Sequence, residues 1–145
     1  MNKILIDTVY LYPIFGIDVG IEKYNELFPK LLDSYEVYYN PISLIESKLL
    51  LFKLIKKDKN NKNRYLEAYL KGLRVILRDK RLKQTLITNS EIEEESDKLI
   101  DVINNYFRRI IYATAKVNKL VLLTESKNLL NQENVQSLIN FFMNK

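Results

Sequence analysis

The sequence predicts an α/β fold: three layers, with a small, mostly parallel sheet flanked by helices. Three observations lead there. Short apolar, β-branched runs such as Ile4-Leu5-Ile6 alternate with longer segments of helical period. The strand candidates read as continuous apolar stretches rather than alternating ones, the pattern of a sheet covered on both faces. The composition is 47% apolar with three glycines in 145 residues, that of a packed chain rather than a disordered one. A chain of this length buries roughly 68–70% of its unfolded surface around one core, so residues 1–145 are expected to form a single domain.

Residues 3–6 form the first predicted strand, ending at Asp7, and Thr8 to Ile17, punctuated by Pro13 and Gly16, reads as a loop. Ile21, Tyr24, Leu27, Phe28, Leu31 and Leu32 recur at helical spacing after a potential cap at Asp18, and Glu36 to Tyr39 is a second strand. Asn40-Pro41 opens a helix, because Asn caps free amides and Pro at the first position loses no hydrogen bond. That helix, Ile42 to Ile55, is apolar nearly all round and is expected to be largely buried. Tyr65 to Leu77 resumes helical period, and Gln84 to Thr88 is the third predicted strand. An acidic helix is expected from Ser90 to Asn105, another from Phe107 to Asn118, a strand over Leu120 to Thr124, and a closing helix over Val135 to Phe142.

The chain has no cysteine and no histidine. Disulfides, thiolate or imidazole zinc sites and histidine-based nucleophilic triads are therefore excluded, which leaves carboxylates, lysines, tyrosines, hydroxyls or a metal held by oxygen. Asp7 interrupts the first apolar run too early for a signal peptide, and no stretch approaches the ~18 apolar residues of a membrane span. A cytoplasmic protein without membrane contact is expected.

The net charge of +5 is uneven: residues 53 to 83 hold twelve Lys or Arg against three Asp or Glu. Lys71, Arg74, Arg78 and Arg81 fall at spacings of three and four, so a continuing helix would carry them as one basic stripe. Such a stripe, with Tyr65 and Tyr69 nearby for stacking, suits nucleic-acid phosphates, and it equally suits a solvated helix face.

Two carboxylates stand out. Ligands of open parallel sheets bind beyond the carboxyl ends of the strands, where Asp7 falls; a turn or cap role is the plain alternative. Glu46 interrupts an apolar helix, and a buried carboxylate is costly unless it meets a cation. The other reading puts Ser43, Glu46, Ser47 and Lys48 on a narrow wet face.

The segments Ile4-Leu5-Ile6-Asp7-Thr8, Asn40-Pro41-Ile42-Ser43-Leu44-Ile45-Glu46 and Ile110 to Asn118, followed by Leu122-Leu123-Thr124-Glu125, resemble in order and spacing the PIN-domain family, many of whose small members are VapC-type ribonuclease toxins. The resemblance implies a PIN-like fold, an acidic cleft that binds magnesium or manganese and cleaves single-stranded RNA, a homodimer, and a small inhibitory antitoxin partner. It gives Asp7 and Glu46 the roles of metal ligands and catalytic acids, and sets Thr8, Ser43, Arg108, Thr124 and Ser126 around the cleft.

The family pattern has two further acids. Where one is expected, seven residues before Ala115, this chain has Arg108; where the other is expected it has Ser126, with Glu125 one position early. Magnesium can be held by one or two carboxylates with water and phosphate, whereas two-metal hydrolysis needs more anionic ligands. A guanidinium ~4–5 Å from a carboxylate interacts by roughly 3–4 kcal/mol at an effective dielectric near 20. Arg108 is thus expected to pair with Asp7 or Glu46 in place of a metal, unless Glu125 or Asp101 turns in to restore the site. Two functions follow: a metal-dependent ribonuclease, or a PIN-like module that binds nucleic acid or protein, uses no cofactor and does not cut.

Overall fold

A computed structural model describes residues 2–143. Its five strands are β1 (Lys3–Ile6), β2 (Glu36–Tyr39), β3 (Leu82–Gln84), β4 (Val121–Leu123) and β5 (Val135–Gln136), and its helices are α1 (Tyr24–Ser34), α2 (Ile42–Lys57), α3 (Lys62–Arg78), α4 (Ser90–Asp97), α5 (Tyr106–Val117) and α6 (Leu138–Met143). The strands form one sheet in the order β3-β2-β1-β4-β5, and every pairing is parallel. The α/β sheet with flanking helices expected from the sequence is therefore observed.

Alternation along β1 explains the layers. Successive strand side chains point to opposite faces, so Ile4 and Ile6 enter one apolar cluster with Val37, Tyr39, Leu31, Leu51 and Ile76, while Leu5 enters another with Ile110, Ile111, Ala113 and Leu122. Helices α1, α2, α3 and α6 thus cover one face and α4 and α5 the other. Ala113 and Ala115 are small enough for α5 to sit directly on the sheet, and both are buried.

The stretch after β1 is more ordered than the loop expected there. It makes two short 3-10 turns, Thr8–Tyr10 and Tyr12–Phe15, ended by Gly16 in the left-handed region at φ 81. Helix α3 lies against the second turn because Gly72 has no side chain: a Cβ there would stand 2.5 Å from the Ile14 carbonyl oxygen. The stacked rings of Phe15 and Tyr69, 4.6 Å apart, close the same contact.

Several expected elements differ in extent. Asp18 does not cap a helix: its carboxylate accepts from the Gly20 amide in a turn, and α1 begins at Tyr24 after Lys23 takes a positive φ of 56. The third strand runs from Leu82 rather than from Gln84. The acidic helix stops at Asp97, and Asn105 caps α5 instead by accepting from the Arg108 amide. Val135 and Gln136 begin the last segment as a fifth strand, with the helix following from Leu138.

Helix α2 departs most from expectation. Leu51 is fully buried, but Ile45, Leu49 and Phe52, one stripe at spacings of four and three, are 52%, 42% and 45% exposed. Helix α2 packs against α3, α5 and the turn after β1, and the stripe that none of them covers is left to solvent.

Candidate active site

The cleft is assembled at the carboxyl ends of β1 and β4. Register pairs Ile6 with Leu123, and the Asp7 amide donates to the Leu123 carbonyl at 2.9 Å, which brings Asp7 beside Thr124. Thr124 Oγ1 donates to Asp7 Oδ2 at 2.6 Å, while Asp7 Oδ1 accepts from the Thr8 amide at 2.7 Å. Asp7 is therefore both the cap of a 3-10 turn and a wall of the cleft, so the two readings of it are not alternatives.

Helix α2 supplies the opposite wall, and buried Asn40 sets its start. The Asn40 side chain accepts from the Ile42 amide at 2.9 Å and donates to Thr114 Oγ1 at 3.0 Å on α5, tying the two helices together. One turn later, Ser43 Oγ shares a 2.8 Å hydrogen bond with Thr8 Oγ1, and the Thr8 hydroxyl also contacts Glu46 Oε1. Thr8 is thus a bridge: its backbone holds Asp7 and its side chain holds Glu46.

Asp7, Thr8, Val9, Tyr12, Glu46, Arg108, Glu125 and Ser126 together line a cavity of ≈ 210 Å³. Burial raises the pKa of Asp7, and its bonds to Thr124 and Thr8 and the charge of Arg108 only partly oppose that. Burial also raises Glu46; the Thr8 hydrogen bond opposes it, the Asp7 charge adds to it and Arg108 subtracts. Tyr12 is pushed upward by burial and then by Glu46 and Asp7, so it keeps its proton at neutral pH.

The expected ion pair between Arg108 and a carboxylate does not form. Arg108, in the first turn of α5, lines the cleft and is felt by both acids, yet it makes no ion pair with any described residue. Its backbone amide is fixed by Asn105 at 3.1 Å at the start of α5, and the two cleft carboxylates already have other partners, Thr8 and Thr124 for Asp7 and Thr8 for Glu46. Asp101 lies exposed in the turn after α4 and does not reach the cleft.

Glu125 does line the cleft, but its Oε2 accepts from the buried Tyr10 hydroxyl and, at 3.2 Å, from the Leu138 amide. Among the described residues no cluster of three or more acids could hold a metal ion. The donor set still fits one hydrated divalent ion of the magnesium type, which binds through one or two carboxylates and keeps several waters. Asp7 and Glu46 are desolvated, repel each other and have no cation paired with them, the condition such an ion would relieve. The set does not fit two ions.

On the basic stripe, Lys71, Arg74 and Arg78 are exposed on α3. Arg81 lies beyond the end of that helix and is already held by Asp33 at 2.9 Å and Asp79 at 3.0 Å, so it does not continue the row. A groove of ≈ 660 Å³ beside the cleft, with Glu46 and Tyr12 on its border and Leu49, Phe52, Lys53, Lys56 and Phe107 within it, went unnoticed in the sequence. Tyr10 and Tyr12 were missed as well; the signal available was two aromatic residues within five positions of a strand-end aspartate.

No protein-family model matches the chain, and no curated protein matches it in sequence. Solved structures do. PAE2754 from Pyrobaculum aerophilum is similar over 99% of this chain and 88% of its own, at 14% identity and a TM-score of 0.67. A chain of VapBC2 from Rickettsia felis, solved bound to a DNA fragment from their promoter, covers 93% and 96% at 16% identity and a TM-score of 0.62. A toxin-antitoxin complex from Klebsiella pneumoniae covers 92% and 96% at 20% identity and a TM-score of 0.55. Mycobacterium tuberculosis VapC20, a toxin that cleaves the Sarcin-Ricin loop, is also similar, at 15% identity and a TM-score of 0.55. The chain has the PIN-like fold.

Proposed function

We propose that this protein is a VapC-type PIN-domain ribonuclease that hydrolyses phosphodiester bonds of single-stranded RNA with one divalent ion, magnesium or manganese, held by Asp7 and Glu46. The observation that carries the reading is the pair of desolvated, mutually repelling carboxylates bridged by Thr8 at the strand ends, facing a guanidinium that neither of them pairs with.

When bound, the ion supplies a lowered pKa for an attacking water and neutralises phosphate charge. The chain's own residues do the rest. Thr124 and the Thr8 amide fix the rotamer of Asp7, and the Thr8 hydroxyl fixes Glu46, so both ligands are set before an ion arrives. Arg108, free of carboxylate partners, faces a space where a phosphate can sit, and its fork of N–H donors matches phosphate oxygens. It thereby changes from the metal's rival to a clamp on the substrate, stabilising charge that develops on the phosphate. Tyr12 keeps its proton and offers a hydroxyl donor to a phosphate in the same cleft. Lys71, Arg74 and Arg78 add affinity that does not depend on sequence.

The exposed stripe Ile45, Leu49 and Phe52 beside the cleft supports a protein partner, an antitoxin that covers the α2 face and blocks entry. The reading includes a cytoplasmic homodimer. The experiment is incubation of the purified protein with end-labelled single-stranded RNA and manganese. Cleavage by the native chain that is lost in Asp7→Asn and Glu46→Gln is the expected result. Binding without cleavage in all three would favour the second reading, a PIN-like binding module, which the tethering of Glu125 away from the other acids supports.

A further inference from the structure

Glu125 is the unexplained member of the cleft. It has the right chemistry and the right place, one residue beyond the Thr124 that holds Asp7, and yet it does not join the other acids in a metal-binding cluster. The cause is visible on its far side. Tyr10 is completely buried, at the end of the 3-10 turn that Asp7 caps, and its hydroxyl donates to Glu125 Oε2. The Leu138 amide, at the start of α6, lies 3.1 Å from the Tyr10 oxygen and 3.2 Å from the same carboxylate oxygen, completing a three-membered knot. A second tyrosine, Tyr24, donates to the Tyr10 carbonyl at 2.6 Å and pins the turn that carries Tyr10.

Such a knot is held by more than one group. A phenol and an amide both donate to one oxygen of a half-buried carboxylate, and the ring that carries the phenol is itself fully buried, which fixes the donor in place. A carboxylate satisfied in that way has little to gain by turning toward Asp7 and Glu46, whose negative charges it would have to approach.

We infer that Tyr10 is a positioning residue that latches Glu125 away from Asp7 and Glu46, so that the cleft offers two metal-ligating carboxylates rather than three and holds its divalent ion weakly. The inference rests on the proposed Asp7 and Glu46 site. It adds that a third ligand is present and withheld. Tyr10 lies behind Glu125 and is not among the residues that line the cleft, so its influence on an ion there would run through Glu125. Removing its hydroxyl should release Glu125 Oε2 to the single remaining donor, Leu138, and let the side chain swing into the cavity it already lines.

The test is manganese binding by calorimetry and by the electron paramagnetic resonance of free ion, on the full chain, for native protein, Tyr10→Phe, Glu125→Gln and the double variant. Far-ultraviolet circular dichroism and thermal unfolding accompany each to show that the chain is folded. Tyr10→Phe is expected to bind manganese about tenfold more tightly or better, in the range that supporting hydrogen bonds exert on metal sites. Glu125→Gln in the native background is expected to change affinity by less than about twofold, and in the Tyr10→Phe background to cancel the gain. A structural role alone would lower stability without tightening metal binding.

The outcomes separate the two proposals. Native binding with no gain in a folded Tyr10→Phe protein overturns the latch and leaves the ribonuclease reading standing. No native binding but clear binding by Tyr10→Phe supports the latch and counts against the ribonuclease. Absence of binding in both overturns both. Should Tyr10→Phe fail to fold, Glu125→Gln alone decides: a loss of tenfold or more means Glu125 is already a ligand and the latch is wrong, whereas unchanged affinity supports it.

Discussion

Replacing Asp7 by asparagine should stabilise the metal-free protein while abolishing cleavage. Asp7 is 8% exposed, and taking a carboxylate out of water costs several kcal/mol. The offsets are two charge-assisted hydrogen bonds, from the Thr8 amide at 2.7 Å and the Thr124 hydroxyl at 2.6 Å, and the more distant attraction of Arg108. They fall short, because the folded-state pKa stays above the ordinary 3.8. Asparagine keeps a partner on each side, its carbonyl toward Thr8 and its amide toward Thr124, at no desolvated charge. A net gain of about 1–2 kcal/mol at neutral pH is expected, or roughly 2–8 °C in Tm for a chain of this size.

The sign with pH follows from linkage. A carboxyl whose folded pKa is raised contributes stability that is fully present below its unfolded value and is lost as pH rises through the folded one. The penalty in the native protein therefore grows as pH rises and is relieved on acidification, so the advantage of Asp7→Asn should be larger at pH 7.5 than at pH 4. Glu46 is raised too and shifts in the same direction, since losing the Asp7 charge eases its own ionisation. Glu36, Asp79 and Glu95, which their Tyr, Arg and Lys partners hold below their ordinary values, have the opposite sign but are common to both proteins and cancel in the difference. Urea unfolding in EDTA at pH 7.5 and pH 4 measures it. An Asp7→Asn protein less stable than native at pH 7.5, or a gap that does not change with pH, would refute the reasoning.

Thr8→Val removes the hydroxyl that touches Ser43 and Glu46, and should cost about 1–2 kcal/mol in urea unfolding and about 10–100-fold in manganese affinity by calorimetry. Converting Lys71, Arg74 and Arg78 to alanine should weaken RNA binding and lower its salt slope by about 3, whereas Arg81→Ala, whose side chain already serves Asp33 and Asp79, should leave that slope unchanged in filter-binding titrations. Leu51→Ala should cost about 2–5 kcal/mol, while the half-exposed Leu49, just over half a turn away on the opposite side of α2, should change stability by no more than about 0.5 kcal/mol when made alanine; equal losses in denaturant melts would mean that the α2 face is covered.

The elements that could be read from the residues are those whose signal is local. Ile4-Leu5-Ile6 followed by a charge needs only its own apolar run to be recognised as a buried strand, and Asn40-Pro41 announces α2 through capping and the missing proline N–H. Both Asp7 and Glu46 follow from that, since the end of one element and an odd carboxylate in another are visible in the sequence. Val135-Gln136 is a strand of two residues, too short to have a period, and exists because the Leu122 and Thr124 amides donate to the Asn134 and Gln136 carbonyls, each at 3.0 Å. Ser90 to Asn105 has helical composition throughout, but ends early where Leu99 to Ile103 turns to bury Ile103.

What the chain determined by itself was the order of β1 to β4 and of the helices between them, the absence of any chemistry that needs sulfur or imidazole, and two carboxylates at one end of the sheet. Tertiary structure decided which groups meet there. Tyr10 and Glu125 stand 115 residues apart and become neighbours only when β4 lies beside β1 and α6 returns over both. Arg108 reaches the cleft but not its carboxylates, and α2 leaves one apolar face to solvent. Strand and helix propensities act over a few residues and can be read in order along a sequence, whereas side-chain contacts across a cleft depend on the distances between elements, which packing alone sets.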